Sequence, residues 1–164
     1  MKTIIRLLFI LTIATMTSYA EQSDKIYSFI GVQTSMSHYE DVQTPSYGIK
    51  YGAQSNMWRT GLSYSYAKDG NSAFHTIVMQ MDRGVLTNSF EDLAFKPYLG
   101  FSVGAIQYKN NITDKGYMYG LNGGFTYIVN NSIDLDLGYR YMKTAKMTNI
   151  DKVDDINLAL HYFY

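Results

Sequence analysis

The chain has 164 residues, a formal net charge of zero at neutral pH, no Cys, and 16 Tyr and 13 Gly against only 2 Pro. Without Cys it can hold no disulfide framework, no thiolate metal site and no lipidated cysteine, and the balanced charge makes no electrostatic case for nucleic acid. Mean hydropathy lies slightly below zero, and the size suits one domain.

Lys2 and Arg6 precede an apolar run from Leu7 to Met16, and Ser18-Tyr19-Ala20 leads into the polar Glu21-Gln22-Ser23-Asp24. A charged start, a short apolar middle and a small-residue site form the pattern of a cleavable signal peptide. The apolar run is about ten residues where a spanning helix needs ~20, so an anchoring helix is the weaker reading. Residues 1–20 are expected to be removed after Ala20. Two of the 14 Lys and Arg go with them, which leaves 12 against 14 Asp and Glu.

From Tyr27 onward large apolar residues alternate with small, polar and charged ones, the period of a strand. Ile30, Val32, Thr34 and Met36 share one parity of the first run, and Tyr47, Ile49, Tyr51 and Ala53 one parity of the second. The third sets Trp58, Thr60, Leu62, Tyr64 and Tyr66 against Arg59, Gly61, Ser63 and Ser65. A fourth run around 74–82 has apolar residues on both parities, so its faces are ambiguous. Leu99, Phe101, Val103 and Ala105 mark the fifth run, and Tyr119, Leu121, Phe125 and Tyr127 the sixth. In the seventh, Ile133, Leu135, Leu137, Tyr139 and Tyr141 interleave with Asp134, Asp136, Gly138 and Arg140, so a one-residue slip would invert both faces. Ile156, Leu158, Leu160, Tyr162 and Tyr164 close the chain.

Tight turns are expected at Ser55-Asn56 and Asn130-Asn131, and longer polar segments around 38–45, 68–72, 109–115 and 143–152 read as loops. With both termini in the periplasm, the short turns fall on that side and the loops outside. The 83–93 connection is then an unusually long turn on the terminal side.

Volume decides which face is inside. An eight-stranded barrel admits side chains of modest size, and Tyr51, Trp58, Tyr64, Tyr66, Phe101, Phe125, Tyr127, Tyr139 and Tyr141 exceed that room. The opposite parity of Gly, Ser, Asn and a few charges would fill a narrow lumen. Strands can cross hydrocarbon only as a closed barrel, because unpaired peptide groups there are costly. The expected fold is therefore an all-β, eight-stranded, antiparallel up-and-down transmembrane barrel over residues 21–164. Tyr residues and Trp58 near run ends suit the interfacial aromatic girdles.

The signal peptide, the run SIDLDLGYRYM at 132–142, KPYLGFSVG at 96–104 and the closing LALHYFY at 158–164 together resemble the small outer-membrane β-barrels typified by the barrel domain of outer membrane protein A. The resemblance implies an outer-membrane location. It also implies contact with membrane lipid and lipopolysaccharide, and a C-terminal signal, here Leu158, Leu160, Tyr162 and Tyr164, read by the barrel assembly machinery. Tyr164 stands where Phe is more usual. A monomer is expected, without cofactor or metal and without nucleic acid as partner.

The inward parity collects Lys50, Arg59, Lys96, Arg140, Asp134, Asp136 and Asp155, with Gln33, Asn122 and His161. Buried charges must pair, so a lumen network is expected around Arg59, Arg140, Asp134 and Asp136, with Lys50 on the same face. It would plug the barrel or gate a small ion-conducting pore. Some barrels that this chain resembles modify lipid A with His, Ser and an acid, but His38, His75 and His161 fit no such pattern, and His75 is the least implausible base. Asp151, Asp154 and Asp155 are candidates for a divalent cation, although a solvated loop accounts for them. The leading expectation is a non-catalytic structural or surface-exposed barrel with adhesin-like or receptor-like loops. Arginine at Leu137 is expected to be costly, and an uncharged polar swap at Asn122 cheaper.

Overall fold

The computed structural model describes residues 25–40, 42–55, 57–85, 93–110 and 113–164; the expected signal peptide lies outside them. The strands are β1 (Tyr27–Tyr39), β2 (Val42–Gln54), β3 (Trp58–Asp69), β4 (Ser72–Gly84), β5 (Phe95–Lys109), β6 (Thr113–Asn130), β7 (Ile133–Ala145) and β8 (Lys152–Phe163). They close into one barrel in chain order. Each strand is antiparallel to the next, and β8 pairs back onto β1 from Phe29↔Phe163 to Tyr39↔Val153. The ladder shifts register near the foot of β6, between Ile128 and Asn130.

Burial alternates along the strands, with the apolar parity outward. Ile30, Ile49, Leu62, Ile77, Leu99, Leu121, Leu137 and Leu158 are exposed around the barrel. The ambiguous β4 turns Phe74, Thr76, Val78, Gln80 and Asp82 inward and His75, Ile77 and Met79 outward. Its pattern could not show this because both parities carry apolar residues. Pairing decides it, since Val78 stands opposite the buried Ser63 of β3.

Two expectations change. The segments at 38–45, 68–72 and 109–115 are mostly strand: β1 and β2 are joined across residues 40–41, β3 and β4 across 70–71, and β5 and β6 across 110–112. Only 146–151 leaves a longer connection at that end. Strands of 12 to 18 residues exceed the ~9–11 that span a bilayer, so their ends project. Their polarity reports solvent on the outer wall, not loss of the ladder. Glu40, Gly70 and Lys146 supply the positive φ that the reversals need. At the terminal end, residues 86–92 of the long connection lie outside the described residues. Its ends are held by bonds from Val85 N to Pro97 O (3.0 Å) and from Ile128 N to Ala94 O (2.7 Å).

The second change concerns lumen volume. The interior holds Phe29, Tyr39, Phe74, Tyr98 and His161, all buried. Glycines on adjoining strands make room for three of these rings. Phe29 stands opposite Gly52, which faces Gly61, and a Cβ on Gly52 would lie 2.1 Å from the Thr60 carbonyl oxygen and 2.6 Å from the Phe29 ring. Tyr98 extends over Gly124 and Gly138, and His161 over Gly31. A narrow lumen thus takes large side chains where its neighbours have none.

Leu137→Arg, on the exposed apolar belt, is expected to lower stability by ~2–4 kcal/mol in a bilayer, measured by denaturant titration of folding into vesicles. Gly52→Ala should cost ~1–3 kcal/mol by overpacking against the Thr60 carbonyl and the Phe29 ring, measured by the same titration.

Candidate functional site

The lumen is organised in tiers along the strands. Toward the terminal end, Arg59 of β3 donates from Nε to Asp82 of β4 (3.1 Å) and from Nη2 to Asp136 of β7 (2.5 Å). Its Nη1 donates to Thr126 Oγ1 (3.1 Å), and the guanidinium lies 4.6 Å from the centre of the Tyr98 ring. Asp136 also accepts from Tyr98 Oη (3.0 Å) and from Thr126 Oγ1 (3.1 Å). Asp82 accepts from Gln80 and, at 2.6 Å, from Asn122 Nδ2, and Ser102 donates to Asn122 Oδ1. This group joins β3 to β7 across the barrel axis. Asn122 is therefore a partner of a buried carboxylate, so a swap there removes a hydrogen bond as well as a side chain.

Two further pairs stand apart. His161 Nδ1 lies 2.7 Å from Asp134 Oδ1, fully buried, with the His161 ring 4.6 Å from Phe29. Arg140 donates from Nε (3.0 Å) and Nη2 (2.6 Å) to Asp155 Oδ2. Between the tiers, Gln33 donates to Ser65 (2.7 Å), and Ser35, Ser37 and Ser46 share hydrogen bonds.

Of the five residues expected to form one network, Arg59 and Asp136 meet directly, while Asp134 and Arg140 take other partners. Lys50 is buried over Gly61 and makes no ion pair with any described residue. The spacing along β7 explains the division: Asp134, Asp136 and Arg140 point inward at successive levels, and each meets what its own level offers. Sequence reasoning missed Asp82, which sits on the strand of unreadable parity. It also missed Tyr98, which shares the small-residue parity of Gly100 and Ser102 and was legible as an inward aromatic.

The far end of the lumen is apolar. Tyr39, Ala67, Phe74, Val78, Ile106, Met118, Met142, Ile150 and Val153 form one buried cluster, with Tyr39 and Phe74 stacked at 4.0 Å. Met147 and Ile150 fold in from the 146–151 connection. That segment is tied down by a bond from Thr148 N to Asp114 (3.0 Å), one from Asp151 N to Glu40 (3.1 Å), and one from Thr144 Oγ1 to Ile150 O.

The remaining candidates are dispersed. Strand alternation sends Asp155 inward to Arg140 and Asp154 outward, 3.3 Å from His38 Nδ1, with Asp151 in the connection. They form no cation site, and among the described residues no group of three or more potential ligands does. His75 faces outward, 2.8 Å from Tyr64 Oη. Leu158, Leu160, Tyr162 and Tyr164 lie on the exposed outer face.

A closed antiparallel ladder, an exposed apolar belt and an ion-paired polar lumen define a transmembrane β-barrel. No family model matches the chain, and no curated protein matches it in sequence. Solved structures do match. Neisserial surface protein A is similar over 85% of this chain and 97% of its own, at 18% identity and a TM-score of 0.68. Outer membrane protein H of Pseudomonas aeruginosa is similar over 84% and 99%, at 17% identity and 0.63. The outer membrane enzyme PagL is similar over 82% and 98%, at 8% identity and 0.54. The chain has the eight-stranded barrel fold of these small outer-membrane proteins. The fold is shared by an enzyme, so it leaves activity open.

Arg59→Met is expected to cost ~3–5 kcal/mol, because it strands two buried carboxylates. A double-mutant cycle with Asp136→Leu should show strong non-additivity, and additive losses would mean that the pair is not coupled.

Proposed function

We propose that this chain is a non-catalytic structural barrel of the outer membrane, monomeric, with a surface-exposed rim. The observation that carries this reading is a lumen filled at both levels, by the Arg59–Asp82–Asp136 group toward the terminal end and by the apolar cluster around Phe74 and Met118 at the other. An ion would have to break charge-assisted bonds and then cross a dry section. That weighs against the alternative of a small pore.

Two features support the non-catalytic part. His38 faces Asp154 and His75 faces Tyr64, and neither ring is hydrogen-bonded to a serine or threonine among the described residues. The short hairpin tips leave little loop for an adhesin-like or receptor-like role, so such a role would fall to the projecting strand walls. The closed ladder leaves no edge for a second copy. The outward Leu158, Leu160, Tyr162 and Tyr164 are the segment that we assign to recognition by the barrel assembly machinery.

Refolded protein in planar bilayers is expected to give no discrete current steps; regular unitary steps would favour the pore. Because the chain lacks Cys, orientation can be read from single substitutions on intact cells. Asn149→Cys should react with a membrane-impermeant maleimide and Ser132→Cys should not.

A further inference from the structure

The chain carries 9 Met and no Cys, so thioethers are its only readily oxidised sulfur. Met36, Met79 and Met81 stand on the outward face of the strands, and Met118 and Met142 are buried in the apolar cluster. Met57 is exposed at the turn before β3, at the terminal end. Met147 alone among the described methionines joins the two environments. It is half-buried in the 146–151 connection, open to water on one side and packed against the cluster on the other.

Its seat is built into the strands. Gly116 faces inward on β6, just past the last β6–β7 pair at Tyr117↔Ala145. A Cβ there would strike the Met147 side chain, with Sδ only 3.2 Å away, and the Ala145 carbonyl as well. The missing side chain lets the thioether come down onto the strand. The backbone is turned to put it there, since Lys146 takes a φ of 64°, a left-handed conformation that non-glycine residues adopt rarely. Bonds then hold the segment on both sides of Met147: Thr144 N to Asp151 O (2.9 Å), Thr144 Oγ1 to Ile150 O, Thr148 N to Asp114 (3.0 Å) and Asp151 N to Glu40 (3.1 Å).

We propose that Met147 is an oxidation site that latches this segment. Its thioether holds the 146–151 connection on the apolar cluster, and its sulfoxide releases it. The oxidant class is a peroxide. The sulfur lone pair attacks one peroxide oxygen, the O–O bond breaks as the S–O bond forms, and the other oxygen leaves as water after proton transfer; sulfur gives up the two electrons that the peroxide gains. The product puts a strong hydrogen-bond acceptor where a soft apolar group lay. Ile106, Met118, Met142, Ile150 and Val153 offer it no side-chain donor, and a buried acceptor without a partner is costly. Thr148, Asp151 and Glu40 are exposed, so water replaces their bonds once the apolar anchor is lost. Met118 and Met142 lie deeper and become reachable only after the latch opens. The chemistry belongs to a rim that meets water and does not depend on which way the barrel faces.

The test uses the full mature chain refolded in detergent micelles, where both rims are open to solvent, and treated with hydrogen peroxide. Peptide mass spectrometry should find Met147 oxidised before Met118 and Met142, with Met57 as the exposed reference. After the peroxide is removed, trypsin should cut after Lys146 about tenfold or more faster than in untreated protein, because cleavage follows the population of the open segment. Methionine sulfoxide reductases acting on both epimers should restore the slow rate. Met147→Leu keeps the apolar anchor and should stay slow after peroxide, whereas Met147→Gln should be cut fast without it. Met57→Leu should behave as the parent does. The proposal is overturned if Met147 remains a thioether when Met57 is fully oxidised, if Met147 sulfoxide forms and cleavage is unchanged, or if Met147→Leu loses its resistance to the same extent as the parent. Boiled and unboiled gel mobility checks that each variant is folded, and peroxide and reductase acting on the parent chain test the latch without any substitution.

Discussion

Inside a bilayer no water is available to satisfy a peptide group, and each unpaired one costs several kcal/mol. Pairing of β8 with β1 removes the last free edge of this sheet. Once the ladder closes, the register of every strand is tied to two neighbours. A slip by one residue would turn Leu135, Leu137 and Tyr139 inward and send Asp134, Asp136 and Arg140 into lipid. The apolar belt, the lumen charges and the short reversals all follow from that closure.

The lumen shows how a narrow barrel takes large side chains. Three of its rings lie against glycines, as Phe29 does with Gly52 and Gly61 and Tyr98 with Gly124 and Gly138. Arg59 is satisfied across the axis by Asp136 as well as by its neighbour Asp82. A buried ion pair adds little net stability over apolar packing. It does penalise misalignment, because Arg59 reaches Asp82 and Asp136 together only when β3, β4 and β7 stand at these registers.

The two ends of the barrel differ in construction. At the terminal end the lumen holds a network of charge-assisted bonds, and backbone bonds hold the ends of the longest connection. At the other end the strands turn within a few residues, and Met147 and Ile150 pack onto the apolar cluster. The outer wall there is where charge accumulates, above a girdle of tyrosines.

Much of this was legible in the sequence. Period-two alternation determined the number of strands, their approximate places and which parity meets lipid, because one parity carried far more large apolar side chains than a narrow lumen admits. The inward positions of Lys50, Arg59, Asp134, Asp136 and Arg140 followed from the same alternation. Tertiary structure decided what alternation cannot encode. The faces of β4 were set by pairing with β3, which brought Asp82 to Arg59. The polar strand ends remained strand because the ladder satisfies their backbone whatever their side chains prefer. Which acid met which base depended on distances across the axis, and those are set by closure and stagger of the whole barrel, to which no single strand's pattern refers.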